Sequence, residues 1–188
     1  MTATTTVSKR KLKQPPLTIH TLGDKVLRQP AKRVTQINDE LRQLVRQMLQ
    51  TMYSADGIGL AAPQVGVNKR LIVIDTEYDN PKSAPLVLIN PEIRKRSATE
   101  IVIQEGCLSI PDVFIDVKRS ESITVAFKDE RGRPRQLEAK GLLARVILHE
   151  MDHLEGVLFV DHVENELLLH NELKQHGFDS RDVQPVIR

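Results

Sequence analysis

Two histidines four residues apart, with a glutamate directly after the first, carry the clearest chemistry in the sequence: His149-Glu150-Met151-Asp152-His153. Four residues of helix turn by roughly 400°, so the imidazoles project from one face a turn apart, within reach of one tetrahedral metal ion. Glu150 sits about 100° around from His149, beside that face, where a carboxylate can take a proton from water on the metal without binding the ion itself. A lone histidine is usually a satisfied core residue. Here residues 142–154 (LLARVILHEMDHL) are apolar around most of the helix, and two buried imidazoles with their neighbouring acids need partners that a cation supplies.

The third ligand separates the enzyme classes that use this pattern. An extended form with a third histidine fits at Gly156 but meets Phe159 where that histidine would stand. Glu164, Glu166 and Glu172 remain open as carboxylate ligands, although they read as the polar face of a following helix. The other candidate is Cys107, in Glu105-Gly106-Cys107-Leu108-Ser109-Ile110-Pro111. A lone cysteine is most often a small buried hydrophobe. This one follows a strand-like run, Gly106 permits an unusual backbone, and Pro111 is expected to end the pairing. A thiolate with two imidazoles leaves the fourth metal position open to water, the mark of a catalytic site.

A Gly-rich segment, GIGLAAPQVG at residues 57–66, imitates a dinucleotide fingerprint, but it follows a helix and meets Pro63 where a helix should run. A tight loop accounts for its glycines. Gln64 is harder to dismiss, because an amide N–H on a rigid loop suits an oxyanion.

The elements that must position these groups are readable from periodicity. Leu41, Leu44, Val45, Met48, Leu49 and Met52 mark an amphipathic helix over 39–54, capped by Asn38 or Asp39 and stopped at Asp56-Gly57. Strand-like runs follow at 70–75, 85–90, 100–104 and 122–128, the last forming a hairpin with 136–139. A buried helix over 142–154 and a polar one over about 164–176 complete an α+β domain: small antiparallel or mixed sheets around a central helix carrying the histidines.

Composition narrows the classes further. The 188 residues fit one domain, and no apolar run approaches the ~18 residues that span a bilayer. One cysteine cannot form an internal disulfide, and no apolar secretion leader is visible, so the cytoplasm is the expected compartment, ahead of an organelle. With no Trp and six Phe plus Tyr, base stacking has little to work with, and sequence-specific nucleic-acid binding is not expected. Lys9, Arg10, Lys11 and Lys13 stand without an acid in residues 1–14, leaving 23 basic against 25 acidic residues elsewhere. Residues 1–14 are expected to be a disordered basic tail and 179–188 a loose end, flanking a catalytic domain over 15–178.

Taken together and in this order, GIGLAAPQVG, EGCLSIP and HEMDHLEG closely resemble the peptide deformylases. The resemblance implies an α+β metallohydrolase that removes formyl from the N-terminal formylmethionine of nascent chains, releasing formate. It also implies Fe2+, replaceable by Zn2+, Ni2+ or Co2+. Matched residue by residue, it makes Cys107, His149 and His153 the metal ligands and Glu150 the general acid/base. Gln64 and the Leu108 backbone N–H would hold the oxyanion, and Ile58, Gly59 and Gly106 would line the peptide groove. N-formylmethionyl nascent peptides are the implied partner, with the ribosome near its exit tunnel a further candidate. Two positions depart from the family pattern: Leu148 stands where many members have Gln, and Phe114 where some bacterial forms have Arg. The rival readings are an endopeptidase that uses a downstream Glu as third ligand, and a metal-stabilised binding module.

Overall fold

The helix foreseen over residues 39–54 forms as α1 (Asp39–Ser54) in the computed structural model, which describes residues 7–186. The Asn38 side chain accepts from Leu41 N at 3.0 Å, and Asp39 and Glu40 place negative charge at the positive end of the helix dipole. Asp56, at φ 57°, takes the left-handed conformation that ends the helix. Gly57 is needed for another reason: a Cβ there would come within 2.6 Å of Leu108 Cδ1.

Seven strands are present among the described residues: β1 (Gly59–Ala61), β2 (Leu71–Ile74), β3 (Leu86–Arg96), β4 (Glu100–Cys107), β5 (Ile110–Ser120), β6 (Ser122–Lys128) and β7 (Pro134–Lys140). An antiparallel sheet runs in the order β1-β2-β3-β6-β7, while β4 and β5 form a separate hairpin. With α2 (Gly141–Leu154) and α3 (Glu166–Gln175), the architecture is α+β.

Strand β2 shows why its sequence, LIVI, lacks alternation. Leu71 and Val73 pack with Val45, Met48, Leu49 and Met52 of α1, whereas Ile72 and Ile74 pack with Ala144, Ile147 and Leu148 of α2. A strand covered on both faces is apolar throughout. A third cluster joins Ile110, Val113, Ile115 and Val117 of β5 to Leu158, Phe159 and Leu173 beyond α2.

Two expectations about the strands require correction. Strand β3 runs past residue 90 to Arg96, crossing Pro91 by a register shift at Asn90, whose φ is 53° and whose amide exchanges 2.8 and 2.9 Å bonds with the Val34 backbone. Pro111 does not end the pairing. Cys107 pairs with Ile110 and Glu105 with Ile115, so residues 111–114 bow outward opposite Gly106, with Asp112 at φ 65°, and the proline is absorbed.

The ends are also better anchored than their composition suggests. Residues 1–6 of the expected tail lie outside the described residues. Residues 7–14 lie along α1: Val7 packs on its core cluster, Gln50 Nε2 donates to Arg10 O at 2.8 Å, and Leu12 N donates to Ser54 Oγ at 3.1 Å. The C-terminal stretch is tied to Asp161, which accepts from Gln184 N at 2.9 Å and, through its carbonyl, from Val186 N at 3.0 Å. Arg28 binds the same carboxylate at 2.5 and 3.1 Å and also the Asp182 carbonyl. Local composition cannot display these long-range partners. No helix among the described residues is long and apolar enough to cross a membrane.

Just after α2, Gly156 has φ +74°, and a Cβ there would meet Arg28 O at 2.6 Å. Gly156→Ala is therefore expected to destabilise the fold by about 1–3 kcal/mol, read as a lower urea midpoint in equilibrium unfolding.

Candidate metal centre

The tip of the β4–β5 hairpin meets the buried middle of α2 at Cys107, His149 and His153. One ligand atom from each lies within 4.8 Å of the others, and Cys107 Sγ is 3.3 Å from His153 Nε2. His149 Nδ1 bonds Glu105 Oε2 at 2.9 Å, which leaves Nε2 for the centre. The His149 ring also stacks on Phe159, with centroids 5.8 Å apart, so the residue that closes the three-histidine route instead steadies a ring.

Glu105 is the hub of a buried charge network that the sequence reading did not assign. Its oxygens accept from Arg119 Nε at 2.6 Å and Nη2 at 2.9 Å, and from Arg145 Nη1 at 2.6 Å. Arg119 also reaches Asp152 at 2.7 Å, and Asp152 meets His162 at 2.8 Å. Burial pushes the Glu105 carboxyl up, but the bonds from His149 and Arg119 outweigh it and hold it well below the usual carboxylate range. Burial likewise pushes His149 down, yet the Cys107 sulfur and Glu105 raise it above its ordinary value. His153 is pushed down by burial and by the neighbouring His149, and its Nδ1 has no hydrogen-bond partner among the described residues. Two sequence signals pointed to this network: Arg145 stands four residues before His149 in an apolar helix, and Arg119 continues the inward-facing alternation of Val113, Ile115 and Val117.

A thiolate and two imidazoles suit a borderline or soft transition-metal ion and leave a fourth tetrahedral position, whereas Mg2+ and Ca2+ require oxygen ligands. The residues present therefore fit such an ion. Glu164, Glu166 and Glu172 do not join the cluster: Glu164 lies 3.9 Å from Lys118, and the other two ride on α3. The donor that stands beside the two imidazoles is Cys107, where the endopeptidase reading expects a downstream glutamate.

Gln64 and Glu150 border these three donors. Glu150 is buried, burial raises its pKa to about 7, and its Oε2 has no partner among the described residues. Gly59 makes room for it, since a Cβ there would lie 2.5 Å from Glu150 Oε1. Gln64 is oriented at both ends of its amide. Its oxygen accepts from Ala61 N at 2.8 Å, and its Nε2 donates to Ser109 Oγ at 3.1 Å and lies 3.5 Å from Cys107 Sγ. Leu108 occupies the hairpin tip between Cys107 and Ser109, and Ser109 N donates to the cysteine sulfur at 3.4 Å. The Ile58 carbonyl accepts from Asp75 N at 2.9 Å. The exposed Phe114 ring covers Gly106, whose added Cβ would meet it at 2.5 Å, while Leu148 is buried on the sheet side of α2.

Residues 16–167 match the family model for polypeptide deformylase. The chain belongs to the polypeptide deformylase family. The peptide deformylase of Microchaete diplosiphon is 64% identical over 180 residues, 96% of each chain. The crystal structure of a peptide deformylase from Synechococcus elongatus in complex with actinonin superposes with a TM-score of 0.95 at 63% identity, covering 96% of this chain and 98% of that one. A peptide deformylase from Thermotoga maritima gives a TM-score of 0.74 at 42% identity, covering 79% and 97%. Membership in the deformylase family carries the reaction class, a hydrolase acting on the N-terminal formyl group of polypeptides.

Because Glu105 fixes the His149 ring and its tautomer, Glu105→Gln is expected to weaken metal binding roughly 10- to 100-fold. Competition with a chromophoric chelator measures the change.

Proposed function

We propose that this chain removes formyl from N-formylmethionyl nascent polypeptides in the cytoplasm, where they leave the ribosome, using Fe2+ held by Cys107, His149 and His153. The observation that carries the reading is the convergence of those three donors beside a buried glutamate oxygen that has no partner among the described residues. Zn2+, Ni2+ or Co2+ fit the same donor set.

When bound, the ion supplies Lewis acidity and makes water nucleophilic near neutral pH. Glu150 accepts the proton as water attacks the formyl carbon, and a carboxyl poised near neutrality suits both this step and the return of the proton to the leaving amine. Gln64 Nε2, held on its loop by the Ala61 N–H at the other end of the amide, donates to the developing oxyanion together with Leu108 N–H. Each such donor typically lowers the barrier by ~3 to 4 kcal/mol. Ile58, Gly59 and Gly106 flank the peptide. Burial of the methionine side chain contributes roughly 1.5 to 3 kcal/mol of binding, and a carbonyl pocket too tight for a methyl selects formyl over bulkier acyl groups.

Formate release from formyl-Met-Ala by anaerobically purified protein, paired with metal analysis, tests the assignment; metal-loaded protein that releases none would sink it. Glu150→Gln is expected to retain the metal and lose about 10²- to 10⁴-fold in kcat. Metal content separates the ligand sets: Cys107→Ala should emerge without stoichiometric metal, whereas Glu164→Ala should keep it.

A further inference from the structure

Lys9 is not one of the metal-centre residues, yet its surroundings are more specific than those of the other basic residues in the N-terminal arm. Its Nζ is 2.7 Å from Asp75 Oδ2, 2.8 Å from Ser83 Oγ and 2.9 Å from the Asn80 carbonyl, with the Glu77 carbonyl at 3.4 Å. Three close acceptors match the three donors of an ammonium group. The face of Tyr53 lies on another side, 5.9 Å from Nζ to the ring centroid. The Asp75 side chain is only 2% exposed, and its other contacts are neutral: Tyr53 OH at 2.7 Å, Glu77 N at 3.1 Å and Ser83 Oγ at 3.3 Å. Lys11 differs, since it pairs with Asp56 where both side chains are 60% exposed, a contact that contributes little.

We propose that Asp75, Ser83 and the carbonyls of Glu77 and Asn80 form a binding site for a primary ammonium group, that Lys9 occupies it to dock the arm, and that this docking steadies Ile58 beside the metal centre. A buried carboxylate without a countercharge must gain a proton or admit water, and either loosens the elements around it. Burial pushes the Asp75 carboxyl up, but the bonds from Lys9 and Tyr53 bring it below its ordinary value, as a filled cation site requires. The path to the catalytic loop is short. Asp75 follows β2 directly, its N–H donates to the Ile58 carbonyl at 2.9 Å, and Ile74 pairs with Gly59. Only this last link rests on the deformylase reading; the ammonium site stands without it.

Lys9→Ala in the full chain empties the site and allows chemical rescue. Opening of the arm is expected to rise at least about tenfold, corresponding to 1.4 kcal/mol, read as faster tryptic cleavage after Arg10, Lys11 and Lys13. The melting temperature should fall and be restored saturably by n-propylammonium, with no such effect on the parent protein. Tetramethylammonium, which has no N–H to donate, should fail. Unchanged cleavage and melting in the variant, or equal rescue by both cations, would overturn the site. For formyl-Met-Ala, KM should rise at least about threefold with kcat within twofold of the parent; an unchanged KM in a variant whose arm has loosened overturns the link to Ile58. If the parent releases no formate, the catalytic reading fails while the cleavage and melting comparisons still decide the site.

Discussion

Glu105 has almost no access to water, and His149, Arg119 and Arg145 close on its two oxygens from different elements. Desolvating that many charges is costly, and a well-packed apolar cluster of the same volume would often be at least as stable. What the arrangement supplies is position. The sulfur of Cys107 comes from a hairpin and the imidazoles from a helix, and nothing in the backbone hydrogen bonding of either fixes their separation. Glu105, two residues before Cys107 on the same strand, holds His149 directly, while Arg145 bonds the carbonyls of Ile101 and Val117 at 2.7 and 2.9 Å and so ties the start of α2 across both hairpin strands.

Helix α2 serves the core and the chemistry with different faces. Ala144, Ile147 and Leu148 close the sheet on the side opposite α1, while His149, Glu150 and His153 turn toward the hairpin and the Gly-rich loop. Burial of this helix on nearly all sides lifts the Glu150 pKa to about 7, so the packing that stabilises the fold also sets the proton affinity of the proposed acid/base. Gly59 completes the fit by contributing no side chain where the carboxylate must lie.

Much of this was legible in the sequence because helical periodicity is a strong signal. The apolar stripe of α1 defined its bounds, and the spacing of His149 and His153 placed both on one face of α2. The missing pieces share a physical cause. Strand β1 is three residues inside a glycine loop, too short to show a period, and β5 was obscured by Pro111, which a bulge accommodates. Lys9 and Asp161 tie the described parts of the two ends to partners remote along the chain, which composition alone does not display. Arg119 and Arg145 stand at inward-facing positions in the sequence, but only the fold shows that both meet one carboxylate.

The uneven β4–β5 hairpin sets where the chain can change length. Side chains alternate along a strand, so Glu105 and Cys107 share a face because one residue separates them. Adding one residue there would turn the sulfur to the opposite side of the ribbon. The bowed stretch 111–114 across from Gly106 carries no such parity, so length variation among natural homologues, and loop grafts made by design, should concentrate on that arm and leave the other invariant in length.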